Sequence, residues 1–503
     1  MIMNMNIDVK LKKYNYIKYI FVLFFVSIFA QTLIFVNTES GFFPFVVFAV
    51  FLMFILSLLS IYIYKYWLGY YTDPFILYSI FFLINYYYST LYLSLRPRNT
   101  SNVIFNYSLD GSIYPLMICF FGYVSFFMGY VIQRKIFKNS FDKNSENLFS
   151  RKKINIFLSY WLFSLGVLFV IIKSYGLSTG SMGSLVNFYD EKANSNYILT
   201  FFRPFVPLIY IIIGYFCVAY FRYKKFKNLF LLLLFADIIL SLVAGDRRIL
   251  LIYTVVILIA SFTFGSSFFR KKKNIFTLLF GVAILFILGT FVNDHMNSGI
   301  SGGEINYFSN IFDTFKSKNN FGSNFLLKTF DNVFGTFGQL FLVDTAFRLN
   351  SSGFSYDFSP FFAYIQGLVP FKSMFGIESI TPSDLQFPLF VSSLHIPGKN
   401  PYLTLPQFAE SFASGGFLSL FFYSFFYGSL MFILFRISFV NEICLVWYIS
   451  FFPFLSFGFL SSLVQGVIFP IKSLVMILFF NIVYKLIFYK KNQRIKVYSQ
   501  HRN

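Results

Sequence analysis

Charged residues are scarce in this chain. Only 12% of its 503 residues are charged, whereas 57% are hydrophobic, and a soluble protein carries about twice that share of charge. A soluble globular fold is therefore excluded. Hydrophobic runs of about twenty residues recur along the sequence, and each is long enough to cross the hydrocarbon core of a bilayer. Because these runs are continuous rather than alternating, they predict helices and exclude a β-barrel.

Cysteine pairs and the short motifs of several enzyme classes are also missing. Cys119, Cys217 and Cys444 fall in separate apolar runs without CxxC spacing, which argues against disulfides and against a zinc site. The chain has no Walker A, GxGxxG, HExxH or GxSxG motif, and no DxD-type site on its predicted outer side. We therefore expect no metal and no cofactor.

The hydrophobic runs predict an all-α polytopic membrane protein with about twelve transmembrane helices. Residues 1–292 are predicted to form a nine-span bundle, residues 293–408 a long outer (periplasmic or extracellular) loop, and residues 409–503 three more spans with a basic cytoplasmic tail. The predicted spans are about 17–36, 42–64, 74–95, 112–133, 154–172, 198–221, 227–244, 249–268, 275–292, 409–435, 440–462 and 466–488.

The basic residues predict the orientation of these spans. Most of the 41 Lys and Arg residues fall in alternate connectors, which places those connectors and both termini in the cytoplasm. The same distribution explains most of the net charge of +21, so the charge does not indicate a nucleic-acid partner. No repeat between the two halves is visible, unlike in many transporters.

The long outer loop is predicted to contain amphipathic helices. Phe325, Leu326, Phe330, Val333, Phe334, Phe337 and Phe341 recur at helical spacing, and residues 361–368 predict a second short helix. We expect these helices to lie on the outer interface or to fold back over the bundle. A polar loop on a rigid scaffold is where function is expected.

A few cations lie on the predicted outer side, against the prevailing bias. Arg247 and Arg248 follow Asp246 in the turn between spans seven and eight, Arg203 opens span six, and Lys472 lies within the last span. Arginine binds phosphate oxygens bidentately, so these residues are candidates for a phosphate site. The alternative is that they extend to lipid headgroups or pair with nearby acids.

Three acidic or titratable residues are candidates for chemistry. Asp237 lies inside span seven and is either functional or bonded to a neighbouring helix. Glu410 opens span ten and either accepts a proton from an attacking hydroxyl or complements the positive helix N-terminus. His395, near the end of the loop, is either a base or hydrogen-bond donor, or a bystander.

Two stretches of the sequence resemble the Wzy-type oligosaccharide repeat-unit polymerases. Gly398-Lys399-Asn400-Pro401-Tyr402, Pro406 and the run from Glu410 to Phe417 are similar to a Gly-Asn-Pro turn that leads into an acidic residue and a small-residue turn at the head of a late span. Here Lys399 interrupts the more usual Gly-Asn-Pro. Gly245-Asp246-Arg247-Arg248 is similar to that family's small residue–Arg turn, and the layout of spans and outer loop is similar as well.

The resemblance implies a metal-independent glycosyltransferase of the bacterial inner membrane. Such an enzyme moves a growing glycan from undecaprenyl diphosphate onto a lipid-linked repeat unit, in lipopolysaccharide or capsule synthesis. Its partners would be lipid-linked oligosaccharides, the bilayer and a chain-length regulator. In this chain, Glu410 or His395 would be catalytic, Arg247, Arg248, Arg203 and Lys399 would bind the diphosphate, and Asp246, Asp237, Asn400 and Lys472 are further candidates.

Two other functions use the same substrates. A flippase or other transporter would also need a cationic cavity, although the absence of visible repeats and the long outer loop argue against it. An O-antigen ligase-like enzyme shares the donor chemistry but transfers the glycan to a lipid A core. The sequence separates a ligase from a polymerase poorly.

The arginine turn gives the first testable prediction. Arg247→Ala and Arg248→Ala should each abolish chain extension, because the departing diphosphate would lose a cation that stabilises its charge. Glycan chain length and the amount of protein in the membrane are the measurements. Normal chain lengths in both variants would remove these residues from the site.

Overall fold

The computed structural model describes residues 74–82, 86, 113–137, 156–178, 208–243, 248–264, 281, 343, 346–347, 407–438, 442–456, 470–471, 473–475 and 477. Within these ranges the secondary structure is helical and no strand occurs, which confirms the all-α class for this part of the chain. The full number of spans and the predicted loop helices at 325–341 and 361–368 lie outside the described residues and stay predictions.

The described helices match predicted spans. We number them α1 (Pro74–Phe82), α2 (Ile113–Ile136), α3 (Ile156–Ser178), α4 (Leu208–Tyr223), α5 (Lys227–Val243), α6 (Arg248–Thr263), α7 (Gln407–Ala413), α8 (Gly416–Ile437) and α9 (Glu442–Ser456). Segments of α2, α3 and α8 are long and apolar enough to cross a membrane, and α4, α6 and α9 contain shorter apolar stretches. These helices support the prediction of a membrane protein.

Helices α2 and α8 pack most closely within the described bundle. They run parallel, since Phe121 lies against Phe417 near their beginnings and Tyr130 lies against Phe432 further along. Small residues allow the approach: a Cβ on Gly129 would lie 2.0 Å from the Phe425 carbonyl oxygen, and a Cβ on Gly428 would lie 2.0 Å from the Phe126 carbonyl oxygen. Backbone-to-backbone contact of this kind is typical of helices that associate in lipid, where packing replaces the hydrophobic effect.

Aromatic side chains fill the space between α2 and its other neighbour, α1. Phe82 stacks on Tyr123 with ring centroids 4.5 Å apart, and Tyr78 stacks on Phe126 at 3.9 Å. The hydroxyls of Ser79 and Tyr123 are 2.7 Å apart and form a hydrogen bond. The many Phe and Tyr residues of this chain therefore supply much of the described core.

A second group of helices, α3 to α6, is joined to the first by α9. Helix α9 contacts α4, α6, α1 and α8. Its Ser450 packs on Gly214 of α4, where an added Cβ would lie 1.9 Å from the Ser450 hydroxyl oxygen, and the Tyr427 hydroxyl of α8 donates to the Leu455 carbonyl at 2.6 Å. Helix α9 thus lies between the two groups and fixes one against the other.

One end of this bundle is cationic. Contacts along the helices place the ends of α2, α4 and α8 and the beginnings of α3, α5 and α9 together. The cationic end carries Arg134, Lys135, Arg222, Lys224, Lys225, Lys227 and Arg436. Some of these cations lie over aromatic rings, as Arg436 does at 4.2 Å from the Phe137 centroid. The sequence predicts that this end faces the cytoplasm.

Three predicted spans differ from the observed helices. Helix α6 ends at Thr263, before the predicted end of span eight near residue 268. Helix α3 continues to Ser178, beyond the predicted end of span five near residue 172. The predicted span at about 409–435 is divided into α7 and α8, because Gly416 adopts a left-handed φ of 66° that glycine tolerates without strain. Just before the break, Ser414 closes the last turn of α7. Both its backbone amide and its side-chain hydroxyl donate to the Glu410 carbonyl oxygen.

The α2–α8 contact gives a prediction about stability. Gly129→Ala or Gly428→Ala should destabilise the protein by about 1–3 kcal/mol, as overpacking of a close contact usually does, because each new methyl group meets a backbone carbonyl. Thermal unfolding of the purified protein in detergent is the measurement. The matched control is Gly281→Ala, where a Cβ meets none of the described residues within 4 Å. Equal melting temperatures for all three variants would contradict this packing.

Candidate functional site

An ion pair lies inside the described bundle. The Lys173 ammonium of α3 donates to the Asp237 carboxylate of α5 at 2.7 Å. The Asp237 side chain is fully buried, and that of Lys173 is 18% exposed. Of the two alternatives that the sequence left open for Asp237, the structure thus shows bonding to neighbouring helices. Whether it also has a functional role stays a prediction.

Two hydroxyl groups complete this cluster. The Tyr253 hydroxyl of α6 donates to the second Asp237 oxygen at 2.5 Å, and the Lys173 ammonium also donates to the Ser241 hydroxyl at 2.6 Å. The two carboxylate oxygens of Asp237 therefore accept hydrogen bonds from different helices, one from Lys173 of α3 and the other from Tyr253 of α6. We call Lys173, Asp237, Ser241 and Tyr253 the ion-pair cluster.

The cluster lies well away from the cationic end. By the helical rise, Asp237 is about 15 Å from the beginning of α5 at Lys227 and about 9 Å from its end at Val243, so it lies inside the apolar part of the helix. Charges at this depth are costly without partners. The pairing of Lys173 with Asp237, together with the Tyr253 hydrogen bond, offsets that cost.

Sequence reasoning missed Lys173. The predicted span ends near residue 172, so Lys173 falls just outside it, at a position where a lysine can extend to the membrane surface without a partner. The sequence did contain one indication of this pair, which is the opposite charge of the two residues. A lysine at the end of one apolar run and an aspartate within another can form an ion pair if their helices are neighbours.

A second polar group lies on α7, at the end of the bundle away from the cationic end. Glu410 is 1% exposed and Gln407 is 0% exposed. Being three residues apart on a helix, they lie on one face. Among the described residues, neither the amide oxygen nor the amide nitrogen of Gln407 has a hydrogen-bond partner, which is unusual for a buried amide and calls for an explanation. The Glu410 carboxylate is close enough to Tyr423 of α8 to interact electrostatically.

Aromatic rings surround α7. Phe408 packs on Gly122 of α2 and lies 5.5 Å from the Tyr86 ring centroid. Phe412 lies 6.3 Å from Phe347, which itself stacks on Tyr114 at 4.7 Å. Phe347, which lies in the segment that the sequence predicts as the outer loop, therefore contacts the described bundle. Glu410 and Gln407 are therefore held on a helix that is fixed on several sides.

Most of the other predicted site residues lie outside the described part of the chain. Helix α6 begins at Arg248, but the structure does not describe that side chain. The remaining predicted residues that are not described are Arg203, Asp246, Arg247, His395, Lys399, Asn400 and Lys472. Their roles stay predictions. Of the predicted residues, Asp237 and Glu410 are the two whose side chains the structure places.

The described residues contain no group of three or more His, Cys, Asp or Glu side chains that could hold a metal ion. Comparisons with protein-family models, curated proteins and solved structures found no match to this chain. The function is therefore argued from the residues and their geometry.

The ion pair gives a prediction about stability. Lys173→Met should destabilise the protein by about 3–5 kcal/mol, since it leaves the fully buried Asp237 without its cation, whereas Lys173→Met combined with Asp237→Leu should recover most of that loss. Thermal unfolding in detergent is the measurement. A matched control on the same helix is Ser159→Ala with Tyr215→Phe, which removes a neutral hydroxyl pair 2.8 Å apart.

The stability of the Lys173→Met/Asp237→Leu double variant distinguishes a coupled ion pair from two independent residues. If it were less stable than the Lys173→Met single variant, the two effects would be independent and the pair would not behave as one unit.

Proposed function

We propose that this protein is a polysaccharide polymerase of the bacterial inner membrane. It transfers a growing glycan from undecaprenyl diphosphate to a lipid-linked oligosaccharide repeat unit at the outer face of that membrane. The observation that carries the proposal is the pair of buried polar side chains on α7, Glu410 and Gln407, at the end of the bundle away from the cationic end. The resemblance of this segment to the Wzy-type polymerases supports the same reading.

The reaction needs a base for the acceptor sugar. In the proposed step, the acceptor hydroxyl attacks the anomeric carbon of the donor sugar, the bond from that carbon to the diphosphate oxygen breaks, and the hydroxyl proton passes to Glu410. Undecaprenyl diphosphate then leaves as the anion. His395 remains a second candidate for the base.

Gln407 suits the binding of the acceptor. An amide offers one acceptor and two donor hydrogens to sugar hydroxyls, and both polar atoms of this buried amide are unsatisfied by the described protein. A sugar hydroxyl would satisfy them. The neighbouring aromatic rings of Phe408 and Phe412 provide rigid apolar walls beside the polar pair.

The leaving group is an anionic lipid diphosphate at the outer headgroup level. Arg203, Arg247, Arg248 and Lys399 are the proposed cations that stabilise its developing charge, with Asp246, Asn400 and Lys472 as further members. The diphosphate linkage stores the energy of the reaction, so no nucleotide and no metal is required. The proposed partners are lipid-linked oligosaccharides, the bilayer and a chain-length regulator.

The phenotype of a deletion strain separates this function from its rivals. Loss of the gene should leave single-repeat, lipid-linked glycan without long chains, because repeat units would still reach the outer face. Gel analysis of surface and lipid-linked glycans is the measurement. Repeat units that accumulate untransported on the cytoplasmic side would instead indicate a flippase. Long polymer that is not transferred to lipid A would indicate a ligase.

Glu410 gives a sharper test. Glu410→Gln keeps the shape of the side chain but removes the base, so the rate of chain extension should fall by about 10²–10⁴. Polymer yield in isolated membranes, normalised to protein amount, is the measurement. Ser411→Ala is the matched control on the same helix, since the Ser411 hydroxyl donates only to the Gln407 carbonyl at 2.7 Å among the described contacts. A Glu410→Gln variant with normal yield would exclude Glu410 as the base.

A further inference from the structure

Stability alone does not account for the ion-pair cluster. Moving two charges from water into an apolar interior costs about as much as their attraction returns, and an apolar pair of similar size often serves as well. The three helices that meet at the cluster are mostly apolar, and Ile172, Ile238 and Val256, which are near the cluster in sequence, are buried. A property of the cluster other than stability must explain why it is there.

The property that explains the cluster is the directionality of its hydrogen bonds. Two donor groups, the Lys173 ammonium and the Tyr253 hydroxyl, make three hydrogen bonds to Asp237 and Ser241 at 2.5 to 2.7 Å. Hydrogen bonds of this length lose strength quickly when the angle or distance changes. Apolar side chains, in contrast, tolerate sliding and rotation of one helix on another. The cluster therefore fixes the rotation and the register of α3, α5 and α6 against one another.

The helix that carries Arg248 is one of the three. Tyr253 lies about 7.5 Å along α6 from its first residue, Arg248, by the helical rise. Ile249 and Leu250, in the same first turn, are buried. A shift of Tyr253 on Asp237 would thus be transmitted to the first turn of α6 through a rigid and packed helix.

We propose that Lys173, Asp237 and Tyr253 are positioning residues, which hold the first turn of α6 at Arg248 in place for binding a lipid diphosphate. This inference rests on the proposed function and adds residues that do not touch the substrate. A displacement of about 1 Å in a group that binds the reacting part of a substrate costs up to a hundredfold in rate or affinity. The cluster prevents such a displacement.

The experiment measures lipid binding at unchanged stability. The full chain is placed in nanodiscs, and the dissociation constants for undecaprenyl diphosphate and for undecaprenol, which lacks phosphate, are measured. The Lys173→Met/Asp237→Leu double variant should melt close to the unsubstituted protein yet bind undecaprenyl diphosphate about tenfold more weakly. Undecaprenol affinity should not change.

Two further variants keep the test decisive if the double variant fails to fold. Tyr253→Phe removes one hydrogen bond and retains the ion pair, so it should weaken diphosphate binding about threefold. Lys173→Arg keeps a cationic donor beside Asp237. Its affinity for undecaprenyl diphosphate should therefore stay within about threefold of that of the unsubstituted protein. The Ser159→Ala/Tyr215→Phe control should bind both lipids normally.

The outcomes separate this inference from the function on which it rests. Native affinity for undecaprenyl diphosphate in the folded double variant, or in Tyr253→Phe, would overturn the positioning role and leave the proposed function standing. An unsubstituted protein that binds the diphosphate no better than undecaprenol would overturn the proposed function, and the positioning role with it.

Discussion

The close approach of α2 and α8 is the constraint on which the rest of the described bundle depends. Gly129 and Gly428 each face a carbonyl oxygen of the opposite helix, so neither position accepts a side chain. Helix α7 is joined to α8 by a short glycine break and packs on α2 through Phe408, so the position of Glu410 follows from the same contact. Helix α9 then connects this pair to α3–α6. The glycines at the α2–α8 crossing thereby help to determine where the ion-pair cluster and the α7 residues Glu410 and Gln407 lie in the bundle.

Those polar groups differ in ways that suggest separate roles. In the ion-pair cluster, Lys173 and Tyr253 both donate to Asp237, so the cluster is well suited to holding helices. On α7, the polar atoms of the buried Gln407 amide, beside the Glu410 carboxylate, are not satisfied by any described residue, so this pair is suited to binding a ligand with hydroxyl groups. A buried network that is internally satisfied rigidifies a protein, whereas an unsatisfied one requires a partner.

The sequence predicted the helices well and the polar contacts poorly. Apolar runs of about twenty residues predicted α2 and α5 close to their observed bounds, because the bilayer allows little besides a helix. The predicted span at about 409–435 runs through the break at Gly415–Gly416 because hydropathy does not register a turn between apolar segments, although the resemblance to the Wzy-type polymerases implies a small-residue turn there. Asp237 stood out as a carboxylate in an apolar run, but its partners Lys173 and Tyr253 could not be identified, since helix adjacency is set by packing and not by order in the chain. Gln407 gave no signal of its own, because its importance comes from burial without a partner.

The central claim is that this protein joins lipid-linked repeat units. Its most direct test is reconstitution of the purified protein into liposomes with lipid-linked repeat units, without nucleotide and with chelator present, followed by gel analysis of glycan length. The account predicts a ladder of polymer together with released undecaprenyl diphosphate. Repeat units that cross the bilayer but keep their single-unit length, with no diphosphate lipid released, would contradict it.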